Sequence, residues 1–252
     1  MASGVAMAEF HAQPADLDTI TDFAAAVASQ VSKDNLDRMS LDLAIKTLRV
    51  KAMFDELANY SDARLGPKVL AETFLSRRKL REISATTTDA GICDALLVLA
   101  DSSLSPLARV APLIKMVQPL GEGAPDVAYE LLHFLEPTQY CLATSWVWNP
   151  LTETGAIKLL LAEEFNLFGE NEMDSLSILN FATEYLGQTI DAAGLLVGSD
   201  RYFAMDVFLA GVYGVYMSTV LEMRMTKEFK KILPPLDQLM RRLLGIYQKE
   251  VK

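Results

Sequence analysis

The sequence predicts an all-α protein, a single compact domain of about nine or ten helices. Nearly every segment repeats its apolar residues with helical spacing. No alternating run rich in Val, Ile and Thr is long enough to demand a strand. Apolar residues make up 51% of the chain against 22% charged, enough to bury a large core. No linker rich in Gly, Pro or Ser divides the chain and no fixed repeat is evident, so one domain is preferred; a split near Leu120 is the alternative.

Taken in order, residues 1–13 form a loose tail containing His11. Pro14 then opens a helix with Leu17, Ile20, Phe23, Ala24 and Val27 on one face. Ser32 or Asp34 caps a second, longer helix through Tyr60, with Leu36, Met39, Leu43, Ile45, Leu48 and Met53 as its apolar series. A third is expected from about Pro67 to Ile83. It carries the densest basic cluster, Arg77, Arg78, Lys79 and Arg81, read either as cations near a helix C-terminus or as a phosphate contact. Thr88 or Asp89 caps a helix through Leu99, and Ser105-Pro106 opens another ending near Gln118.

Beyond Pro150, TETGAIKLLLAEEFNLFGENEMDSL reads as a short helix and a turn. Glu163, Glu164, Glu170, Glu172 and Asp174 accumulate there without calcium-loop spacing. Ser175 to Leu196 is helical, with Leu176, Ile178, Leu179, Phe181, Ala182 and Leu186 buried. The helix from about Asp200 to Phe229 is the most apolar and is expected to be central. Ala204, Gly211 and Ser218 form a small-residue stripe for close helix approach, and Met205, Leu209, Tyr213, Tyr216, Val220 and Met223 a bulky one. After Pro234-Pro235 a basic amphipathic helix carries Leu236, Leu239, Met240, Leu243, Leu244 and Tyr247, docking on the domain or on another chain.

The stretch from Pro119 to Pro150 holds the remaining chemistry. Gly121 and Gly123 precede Pro125-Asp126, a helix start with a carboxylate near the positive end of the dipole. Val127, Leu131, Leu132 and Leu135 share a face, Pro137 ends the helix, and Trp146 and Trp148 follow. This glycine-x-glycine turn, the helix ending LHFLEP and the run to Trp146-Val147 resemble, over about thirty residues, the helix-hairpin-helix DNA glycosylase superfamily and its uncharacterised relatives. The resemblance implies hairpin amides that hold a DNA phosphate, with an aspartate shortly after the proline. Here the spacing is one residue longer, Glu122 is acidic, and the aspartate position falls near Thr144. No carboxylate lies between Thr138 and Pro150, so the resemblance implies DNA contact without base excision.

Formal charge is −10, which opposes nucleic-acid binding except through a local basic face. From Pro150 to Asp200 nine acids stand against Lys158, whereas from Thr219 onward eight bases face four acids. Cys93 and Cys141 sit in apolar helical surroundings and are read as free thiols of a reducing compartment. The N-terminus carries no secretory signal, and the longest uncharged apolar run, Val207 to Leu221, falls short of a bilayer span. A cytoplasmic protein is expected.

His133 is the only histidine within a helix, read as a core or boundary residue. No zinc spacing, phosphate loop, HExxH or GxSxG motif is present, and neither cofactor nor metal is expected. The sequence therefore favours a non-enzymatic helical protein-interaction protein, an adaptor, assembly factor or regulator that self-associates. The alternatives are a degenerate glycosylase-like DNA-binding protein, and a helical enzyme or carrier with an apolar pocket. Candidate contact residues are Gly121, Gly123, His133, Trp146, Trp148, Arg77, Arg78, Arg81, Tyr213 and Tyr216.

Overall fold

The computed structural model describes residues 15–59, 62–198, 200–224 and 234–246, and for 221–224 the backbone only. The expected tail 1–13, the extension of the central helix past Arg224 and Tyr247 lie outside the described residues. Within them the fold is all-α, with ten α-helices: α1 Leu17–Ala28, α2 Lys33–Asn59, α3 Leu65–Leu70, α4 Phe74–Thr86, α5 Asp89–Ala100, α6 Pro106–Met116, α7 Ala124–Leu135, α8 Glu172–Ala192, α9 Arg201–Arg224 and α10 Leu236–Leu243.

Helix starts follow local chemistry. Orphan amides of a first turn need acceptors, and short polar side chains supply them. Asp16, Thr88, Ser105 and Asn171 accept from the first-turn amides of α1, α5, α6 and α8, and Ser32 Oγ accepts from Asn35. The helix expected over 67–83 is two. The chain breaks over Ala71–Thr73, where Thr73 is extended and Thr73 Oγ1 donates to the Leu70 carbonyl. α4 is itself kinked at Lys79.

Two apolar clusters form the core. The larger joins α2, α3, α5, α6, α7 and α10. The smaller joins Ile20 of α1, the 147–167 segment and α8. α9 contributes to both, Phe203, Val207 and Ala210 to the first, Met205, Phe208, Leu209 and Val212 to the second. It packs on α1, α2, α8 and α10. A Cβ on Gly211 would lie 2.8 Å from Val27 Cγ2, so the small stripe brings α1 close. Over Arg201–Val220 this helix is long and apolar enough to cross a membrane, and more than half of it is buried inside the fold.

Further expectations are corrected. No helix forms between Leu135 and Glu172, although Ala156, Ile157, Leu160 and Leu161 are buried with helical spacing. The backbone there is engaged elsewhere: Ala156 and Ile157 amides donate to the Trp146 and Val147 carbonyls, and Asp16 N donates to Leu160 O. Gly155 makes that pairing possible, at φ +144° with its absent Cβ position 2.3 Å from Val147 O. Tertiary pairing here overrides local periodicity. On α8, Leu176, Leu179, Ala182 and Leu186 are buried as expected, but Ile178 is half-buried and Phe181 is exposed.

Another correction concerns α2. Leu36, Met39 and Leu43 face inward as expected, but Ile45 and Leu48 do not. The inward face continues through Lys46, Val50, Phe54 and Leu57. Ile45 and Leu48 are therefore on the surface, beside Leu41.

Candidate functional site

α7 is apolar except on one face. Asp126, Glu130 and His133 recur at i, i+4 and i+7, spacing that aligns them along the helix. All three are buried. A polar group in a dry interior is tolerated only with a partner, and each partner comes from a different element.

Ser145, in the segment after α7, donates its amide to Asp126 Oδ1 at 2.8 Å and its hydroxyl to Oδ2 at 2.5 Å. Burial outweighs those bonds and pushes the Asp126 carboxyl up to about 6. Lys46 of α2 reaches Glu130 Oε1 at 2.7 Å and also donates to the Leu244 carbonyl at 3.1 Å. Its ammonium lies 4.2 Å from the centre of the Phe134 ring. Burial holds the Glu130 carboxyl above its usual range, and Lys46 only partly offsets it.

His133 Nε2 is 2.9 Å from Asp206 Oδ2 of α9, and Nδ1 is 2.7 Å from the Tyr140 carbonyl. A carbonyl only accepts, as does a carboxylate, so opposite an ionised Asp206 both ring nitrogens are placed to donate, the arrangement that suits an imidazolium. Burial alone would lower its pKa; Asp206, by charge and hydrogen bond, and the Tyr140 carbonyl reverse the sign and raise it. With both nitrogens so engaged, His133 offers no lone pair to abstract a proton.

This pair floors a cleft of about 310 Å³ lined also by Cys141, Asn180, Thr183, Arg201, Tyr202 and Met205. Burial pushes the Cys141 thiol up to about 12, leaving it protonated at neutral pH and a poor nucleophile. Nearby, buried Arg109 donates to the Leu99 carbonyl at 2.7 Å and pairs with Glu136, closing the end of α7. Among the described residues no three His, Cys, Asp or Glu side chains gather to hold a metal ion. These polar contacts knit α2, α6, α7 and α9 together; their geometry is that of structural ion pairs.

The sequence-predicted residues fall in three places. The turn Gln118–Gly123, with Gly121 and Gly123, packs against α4, the helix that carries Arg77, Arg78 and Arg81. Gly121 takes φ +60°, and a Cβ on Gly123 would sit 2.9 Å from Leu75 Cδ1. The three arginines are exposed, with Arg77 Nε donating to Ala71 O and Arg78 stacked over Phe74. Trp146 contacts Tyr213, which contacts Tyr216, whereas Trp148 packs edge-on against Phe168. None of these four aromatics lines the cleft at His133 or the apolar crevice between α1 and α9. Of the candidates, His133 lines the first of these two cavities and none lines the second.

Sequence reasoning missed Asp126, Glu130, Asp206 and Lys46 as a set. The i, i+4, i+7 spacing of the α7 polar groups was the available signal. It also missed the outer face of α2, where Leu41, Ile45 and Leu48 are 56%, 48% and 69% exposed and Ala52, one turn on, is exposed too. Isolated exposed leucines are ordinary, but a row at 4-3-4 spacing has the pattern by which helices pack on one another. Comparisons with known proteins place nothing beside this chain: no family model, no curated protein and no solved structure matches it.

Proposed function

We propose that this protein works by binding another protein, as an adaptor, assembly factor or regulator, and that the docking surface is the outer face of α2. The observation that carries the reading is the row Leu41, Ile45, Leu48 and Ala52, exposed side by side on α2, the longest helix among the described residues. An amphipathic partner helix fits such a face through i, i+3, i+4 and i+7 anchors. α2 is anchored behind it by the Lys46–Glu130 pair and by apolar residues, so the surface is rigid before binding, which reduces the entropy lost on association.

The test compares the wild-type chain with the Ile45→Asp/Leu48→Asp variant in quantitative co-purification from native extract. The expected result is at least one stoichiometric protein retained by the wild type and absent from the variant, with both chains equally stable to urea. Identical protein profiles for the two would overturn the proposal.

A second reading is supported by the packing of the Gln118–Gly123 turn on α4, with Lys79 Nζ 3.5 Å from the Pro119 carbonyl. It is contact with a nucleic-acid backbone through Gly121, Gly123 and the arginine cluster. Charge reversal at Arg77, Arg78 and Arg81 would then lower DNA affinity and flatten its salt dependence; unchanged affinity and slope dismiss it.

A further inference from the structure

Resting on the docking reading above, we infer that the partner seated on α2 is α2 of a second copy, lying antiparallel about a two-fold axis between Ile45 and Leu48. The axis position follows from the ends of the row. It sets Ile45 against Leu48 of the second copy and Leu41 against Ala52, so all four central layers are apolar and the charged residues meet only beyond them. In antiparallel helix pairs the two seam positions alternate across the interface in this way.

The layer beyond these decides the orientation. Arg38 and Asp55 occupy the next seam positions at the two ends of the row. Both are exposed, and neither makes an ion pair within the described residues. The antiparallel arrangement sets Arg38 against Asp55 of the second copy, twice by symmetry. Parallel pairing in register sets Arg38 against Arg38 and Asp55 against Asp55, which repel.

Beside the seam the same self-complementarity holds. Asp42 on one flank approaches Arg49 of the second copy, and each is already fixed in place by its own chain, Asp42 by Arg241 at 2.7 Å and Arg49 by Glu72. An isologous contact of this kind closes on itself and stops at a dimer. From Arg38 to Asp55 the row spans about 26 Å at 1.5 Å per residue. That places the contact at the small end of specific interfaces, in reversible exchange between monomer and dimer.

The experiment is sedimentation equilibrium of the purified full chain over roughly 1 to 200 µM, where interfaces of this size associate. Mass is expected to rise from monomer toward dimer. Ile45→Asp is expected to hold the chain monomeric throughout with its urea midpoint unchanged. Arg38→Asp and Asp55→Arg are each expected to weaken dimerisation about tenfold, since two attractive layers become repulsive. The double variant Arg38→Asp/Asp55→Arg restores it, which only the antiparallel register predicts.

A dimer indifferent to Ile45→Asp overturns the inference, as does a double variant no stronger than the single ones. A wild-type chain monomeric at every concentration, but retaining an extract protein through Ile45 and Leu48, overturns the second copy and leaves the docking reading standing. A monomer with no such protein overturns both.

Discussion

Deleting the ammonium of Lys46 tests the charged face of α7 directly. In Lys46→Met the stem volume is kept while Glu130 loses its counter-ion, the Leu244 carbonyl loses a donor, and the Phe134 ring loses its cation. The Lys46 side chain is 1% exposed and that of Glu130 10%, so water cannot replace what is removed. Stranding one member of a buried pair costs about 3–5 kcal/mol. For a chain of this length that is a fall in Tm of roughly 6–20 °C. The assay is urea denaturation followed by far-UV circular dichroism at pH 7. The informative comparison is Lys46→Met/Glu130→Leu, because an apolar replacement of both partners is often close to neutral. The double variant should recover most of the loss. A single variant within about 1 kcal/mol of wild type, the ordinary range for a point substitution, would refute the reasoning. So would a double variant no more stable than the single one.

Two further outcomes follow from the same face. The Asp126 carboxyl is raised from 3.8 to about 6 in the folded chain, so its contribution to stability is complete below 3.8 and is lost as pH rises through 6. At 1.36 kcal/mol per pKa unit the loss is about 3 kcal/mol. Asp126→Asn should therefore gain on the wild type progressively between pH 4 and 7 in urea titrations, and a constant difference across that range dismisses the assignment. His133 also has a raised pKa, so its contribution is complete below 6.5 and is lost as pH climbs through the folded value. Nitrogen NMR should show both ring nitrogens protonated at pH 7.5. Asp206→Asn should lower the ring pKa and flatten the alkaline decline; a single ring proton in the wild type at that pH would rule out the imidazolium.

The sequence by itself determined the helical class and most of the helix starts. Both depend on interactions within about four residues. Ser32, Thr88 and Ser105 act within their own first turns, so no knowledge of the rest of the chain is needed to place them. The apolar spacing of α7 and of the first half of α8 is likewise local, and Val127, Leu131, Leu132, Leu176 and Leu179 are buried as read.

Only the tertiary structure decided which polar residues lie inside and which apolar ones lie outside. Lys46 meets Glu130 across 84 residues of chain and His133 meets Asp206 across 73, separations over which no periodicity carries information. α2 shows the consequence. It has two apolar rows, and the apolar series read from the sequence mixes them, setting Ile45 and Leu48 with Leu36, Met39 and Leu43. A charge becomes admissible in the core once a counter-charge is fixed opposite it. Glu130 supplies that counter-charge, turns Lys46 inward and leaves the second row facing outward.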